Sequence, residues 1–141
     1  MRDRATLLKL AADVEAADGP DRELDARVWV ALHGGEIIAL QPGYVQSGDW
    51  SAVGFTQAYT DSVDAALALM ADVLPGWGYT LIKGADGKDR GYHGREAIIT
   101  PPMLTDDEYA TSAATVPLAI VAAVLRAVAD SSTPTDHPKE L

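Results

Sequence analysis

Residues Tyr59 to Tyr79 read Y-T-D-S-V-D-A-A-L-A-L-M-A-D-V-L-P-G-W-G-Y, and this stretch decides the fold. Thr60 is a cap-type residue, and Asp61 and Asp64 put carboxylates at the positive end of a helix dipole. Val63, Ala66, Leu67, Met70 and Leu74 recur at helical spacing. Pro75-Gly76 then stops the helix, and Trp77 to Lys83 alternates as a strand does. A helix delivered through a tight turn into a strand is a unit of an α/β or α+β domain.

Working outward, Arg95 to Thr100 reads as a returning strand, with Ala97, Ile98 and Ile99 and a stop at Pro101-Pro102. Residues Ala113 to Ala127, A-A-T-V-P-L-A-I-V-A-A-V-L-R-A, describe a closing helix with Thr115 as cap and Pro117 in its first turn. Its Ala and Val content predicts cover on more than one side. Upstream, Arg4 to Ala17 carries Leu7, Leu8, Ala11 and Val14, with Asp3 as cap. Gly19-Pro20 separates it from a second helix, where Leu24, Val28, Ala31 and Leu32 share a face. His33 lies in its last turn, placed to meet the final carbonyls, and Gly34-Gly35 supplies the exit. Glu36 to Gln41 reads as a strand, Tyr44 onward as a loop, and Ala52 to Gln57 as a weaker strand. The expected fold is α/β (α+β), a small, mainly antiparallel sheet with packed helices, in the order α-α-β-β-α-β-β-α. Residues 1–130 form one sandwich-like domain and 131–141 a flexible tail.

Composition narrows the function classes. The 141 residues are 48% hydrophobic, as a globular domain requires. The net charge of -10 disfavours duplex nucleic acid and anionic membranes, whose binding relies on Lys and Arg. With no cysteine, thiol catalysis, disulfides and Cys-based metal sites drop out. No signal-peptide core or spanning segment is evident, which gives a cytoplasmic expectation.

The helix at Tyr59, the turn and the last helix carry a resemblance. Tyr59-Thr60, Asp64-Ala65-Ala66-Leu67, Pro75-Gly76-Trp77 and Ala114-Thr115-Val116-Pro117-Leu118-Ala119 resemble the pattern of small phage and prophage proteins with the "phage ABA sandwich" domain. Gly19 to Asp25, G-P-D-R-E-L-D, is similar to the same group. The turn is one residue shorter than the commonest form, and Val116 stands before Pro117. The resemblance implies phage-related ancestry and an α/β fold. It brings no catalytic residues.

Candidate chemistry is sparse. His33, His93 and His137 form no local ligand motif, and in a strand His93 and Glu96 point to opposite faces. The carboxylate pairs Glu23 with Asp25, Asp61 with Asp64, and the run Asp106-Asp107-Glu108 precede or open helices, where capping and dipole effects account for them. No G-x-S-x-G elbow or P-loop is present, so the sequence calls for no catalytic residue, metal or cofactor. Five cationic side chains, Lys83, Lys88, Arg90, His93 and Arg95, cluster among Gly84, Gly87, Gly91 and Gly94. Such a tip is an anion site or, balanced by Asp86 and Asp89, a solvated hairpin. The candidate ligand-binding set is Trp50, Lys83, Arg90, Tyr92, His93 and Arg95, with Trp50 or Tyr92 stacking on a base.

Three functions follow as expectations. The first is a non-catalytic phage accessory protein that sequesters a small nucleotide-derived ligand such as a host immune signal. The second is an acidic module that binds a host or virion protein. The third is a small nucleotide-processing enzyme. Open sheet edges and a broad apolar last helix predict a homodimer or higher homo-oligomer.

Overall fold

A computed structural model describes residues 3–34, 36–37, 43–46, 53–82, 96–102 and 108–131. The class is α+β, with four helices and two small three-stranded antiparallel sheets among the described residues. The order is α1 (Arg4–Ala16), α2 (Arg22–His33), β1 (Glu36–Ile37), β2 (Tyr44–Gln46), β3 (Val53–Phe55), α3 (Val63–Val73), β4 (Gly78–Ile82), β5 (Glu96–Thr100), β6 (Tyr109–Ser112) and α4 (Val116–Ser131). The expected sequence of elements therefore stands with two strands added and with the strands divided between two sheets.

The centre of the molecule is α4. Every residue from Leu118 to Leu125 is fully buried, and so are Ala127 and Ala129. Helix α1 lies along one side, α3 packs on it as well, and β5 and β6 cross another side. Its alanines let these neighbours approach closely, as small side chains do at a helix interface. Two charged residues stand within this helix, Arg126 and Asp130, and the first is accommodated at the α1 seam. Arg126 Nε and Nη2 donate to the two carboxylate oxygens of Glu15 at 2.8 and 2.6 Å. That two-pronged bond holds the guanidinium pKa above its usual value. Asp130 fastens the far end, accepting from Arg4 Nη2 and from the Tyr109 hydroxyl, each at 2.9 Å.

The two missed strands have physical reasons. Tyr44-Val45-Gln46 is too short to show a period, and it is stabilised by long-range pairing with Glu36–Ile37 and Val53–Phe55. Tyr109–Ser112 follows an acidic run and pairs with Glu96–Ile99. Its Thr111 hydroxyl donates to the Ala119 carbonyl, tying β6 to α4. Only tertiary partners make these segments strands.

Two helix faces gain a residue. In α3 Ala66, Leu69 and Met70 are buried, with Leu74 just beyond, and Val63 and Leu67 pack partly buried against the core. In α1 Leu10 joins Leu7, Ala11 and Val14 in the core, and Leu8 packs partly buried against it. The cap of α3 is Ser62, whose hydroxyl accepts from Ala65 N–H at 3.1 Å. Thr60 has another task, described below. The caps Asp3 and Thr115 are where the sequence places them, and Asp21 caps α2. Among the described residues no helix is long and apolar enough to cross a membrane.

Candidate functional site

The polar residues of Gly19–Asp25 and the pair Tyr59-Thr60 meet. Asp21 caps α2, accepting from the N–H groups of Glu23 and Leu24. Its own N–H donates to the Thr60 hydroxyl at 2.8 Å. Asp25, one turn into α2, is 0% exposed. Its Oδ1 accepts from both the N–H and the hydroxyl of Thr60, each at 2.8 Å. Its Oδ2 accepts from Arg22 Nη1 at 2.7 Å. A buried carboxylate is costly unless it is both paired and hydrogen-bonded, and here it is both. Arg22 reaches on to the Thr56 carbonyl at 2.6 Å, joining α2 to the end of β3. Asp25 is thus no helix-dipole residue alone, as its position near the helix start implies. It ties the β3–α3 connection to α2.

One and two turns further along α2 come Trp29 and His33, on the face that begins at Asp25. Because Asp25 holds Thr60, the neighbouring Tyr59 is set beside this face. Helix α3 adds Ala68, Leu69 and Asp72, also at one-turn spacing, and the connection adds Gln57. These seven residues line a recess of about 250 Å³. That is below the ~300–1,000 Å³ of sites that enclose whole drug-sized ligands, and it suits a single ring system.

The recess has an aromatic wall and a polar rim. Tyr59 is 6% exposed. Burial raises its phenol pKa, and the nearby carboxylates of Asp72 and Asp25 raise it further, against a smaller lowering by Arg22. The hydroxyl is therefore protonated at neutral pH. The Trp29 and His33 rings lean together, with centroids 5.4 Å apart. His33 Nε2 lies 2.8 Å from Asp72 Oδ2, and Nδ1 lies 3.2 Å from the Trp29 carbonyl oxygen. The latter is the carbonyl contact that the sequence assigns to His33. Both partners are acceptors, so both contacts are hydrogen bonds only when each ring nitrogen carries a proton.

Trp50, Lys83, Arg90, Tyr92, His93 and Arg95 all fall outside the described residues, as do the Lys83–Arg95 tip and the tail 132–141. Trp77 packs partly buried against the core, its ring 6.0 Å from that of Tyr109. Trp29 also touches the core but lines the recess. The signal for the recess was present in the sequence. Asp25, Trp29 and His33 repeat at a spacing of four, and Asp72 follows Ala68 at the same spacing. What the sequence does not give is the pairing of α2 with α3 across Tyr59. Compared with protein-family models, curated proteins and solved structures, the chain matches none of them.

Proposed function

We propose that this chain is a non-catalytic binding protein whose recess takes one planar ring with polar edges, such as the base of a nucleotide-derived signal. One observation carries the reading: Trp29 and Tyr59 stand beside a His33–Asp72 pair and the Gln57 side chain in a space of about 250 Å³. Aromatic faces suit any base, and a carboxylate and an amide at the rim suit the donors and acceptors of its edge. The rim carries Asp72, so phosphates would be met by other groups, for which Lys83, Arg90 and Arg95 are the candidates. The resemblance to phage ABA sandwich proteins supports an accessory role in the host cytoplasm, where sequestering an immune signal needs affinity and no turnover. Two of the stretches that carry the resemblance, Gly19–Asp25 and Tyr59-Thr60, hydrogen-bond to one another beside the recess.

Titration calorimetry and tryptophan fluorescence against cyclic dinucleotides, ADP-ribose-type signals and free nucleosides test this. Saturable binding is expected, with the ligand recovered intact by mass spectrometry. Trp29→Ala is expected to weaken it about tenfold, since loss of one base–aromatic stack costs ~1–3 kcal/mol. Turnover of the ligand would replace this reading with the small-enzyme alternative. Heat-silent titrations with all of these compounds, together with salt-sensitive capture of one basic protein, would replace it with the acidic interaction module.

A further inference from the structure

Among the described residues the two sheets leave four strand edges, those of β1, β3, β4 and β6. An exposed edge presents unpaired N–H and C=O groups and is ordinarily guarded by charge, proline or brevity. Strand β1 begins with the charged Glu36. Strand β3 carries Gly54, which weakens a strand. Strand β6 follows directly on the acidic run ending at Glu108. Strand β4, G-Y-T-L-I, has five residues, no charge and no proline. Among the described residues nothing pairs with its outer side.

We propose that β4 pairs with β4 of a second copy of this chain, antiparallel about a two-fold axis at Thr80, so that two β4–β5–β6 sheets become one six-stranded sheet. The occupant is a copy for two reasons. A chain of net charge -10 repels its own copies, and an uncharged segment of Gly78–Ile82 lets two of them touch. A two-fold axis also makes a strand complementary to itself without further fitting. The side chains agree with this. Tyr79 sits opposite Ile99, which is fully buried on the α4 side, yet Tyr79 itself is 51% exposed. In the paired arrangement it comes opposite the partner's Leu81, an aromatic–aliphatic cross-strand pair that covers the exposed ring. Thr80, exposed on the open face, comes opposite its own copy. The last helix takes no part, because α4 is spent on the core of its own chain.

The intact chain is expected to sediment at twice the mass of one chain at tens of micromolar. Thr80→Lys sets two ammonium groups across the axis and is expected to give single-chain mass with an unchanged circular dichroism spectrum. Thr80→Cys supplies the only thiol of the molecule. Antiparallel neighbours sit ~4.5–5.5 Å apart at Cα, within the ~4.4–6.8 Å that a disulfide spans. Mild oxidation is therefore expected to give a covalent dimer, and this holds as a test even if the lysine variant does not fold. Single-chain mass for the unmodified protein overturns the proposal. So does a dimer that persists in folded Thr80→Lys, or cross-linking by Ala110→Cys on β6 in place of Thr80→Cys. Ligand binding by a monomer would leave the recess reading intact and remove this one.

Discussion

Asp25 Oδ1 accepts two hydrogen bonds from Thr60, one from its backbone N–H and one from its hydroxyl, both at 2.8 Å. With Arg22 on the other carboxylate oxygen, the charge is compensated at a fully buried position. Removing one member strands the others. Asp25→Ala leaves the Thr60 N–H without its acceptor and the Arg22 guanidinium without its counter-charge, with only the Thr56 and Asp21 carbonyls still accepting from Arg22 and the Thr60 hydroxyl, and is expected to cost ~3–5 kcal/mol. Thr60→Val keeps the backbone bond and is expected to cost about 1–3 kcal/mol. Urea unfolding gives both values. Their double-mutant combination is expected to cost clearly less than the sum, because both act through the same oxygen.

Gly43 supports the same clasp from the other side. Its φ is +84°, a region that L side chains rarely adopt, and an added Cβ would lie 2.8 Å from Arg22 Nε and Nη2. Gly43→Ala therefore strains the backbone and pushes Arg22 off the Thr56 carbonyl. A loss of about 2 kcal/mol in urea unfolding is expected. The substitution at Gly19, where an added Cβ meets nothing within 4 Å, serves as the control and is expected to change stability far less.

Thr56 gives a prediction of opposite sign. Its hydroxyl is buried and has no hydrogen-bond partner among the described residues. The carbonyl that serves Arg22 belongs to the backbone and survives any substitution. Thr56→Val keeps the shape and removes an unsatisfied polar atom. It is expected to be neutral or to raise stability by up to about 1 kcal/mol, read from the urea midpoint at constant slope.

Local rules made the helices legible. Asp3 and Thr115 read as caps ahead of their apolar runs, and Pro75-Gly76 ends α3 just after Leu74. Thr60 shows where local rules mislead. A threonine before Asp61, Ser62 and Val63 has the chemistry of a cap, and so does Ser62. The choice was made by Asp25, which lies 35 residues away in the chain and claims the Thr60 hydroxyl. The same holds for strands β2 and β6, which exist through partners and not through pattern. The recess was hidden for a related reason. Trp29 reads as a core or interface aromatic, and nothing local says that α2 and α3 stop short of closing over it and Tyr59. The Gly-rich basic tip drew attention because its composition is unusual, and composition is visible without any fold.

Tyr59 connects the recess to a measurable titration. Burial, reinforced by Asp72 and Asp25, holds its phenol above the ordinary value of 10.0. The neutral form is the one the fold favours, so the folded chain loses nothing from this group below pH 10.0. As the pH rises beyond that, the unfolded chain releases the proton while the folded chain retains it, and stability falls until the folded phenol ionises as well. Phenolate absorbance of the native protein is therefore expected to lag behind that of the urea-unfolded chain. Tyr59→Phe is expected to abolish the lag and to flatten the alkaline loss of urea stability. A ligand seated against Tyr59 removes more water from the phenol and is expected to lengthen the lag, whereas a ligand bound elsewhere leaves it unchanged. A native chain that titrates like the unfolded one would show that Tyr59 is open to solvent and that the recess is not formed.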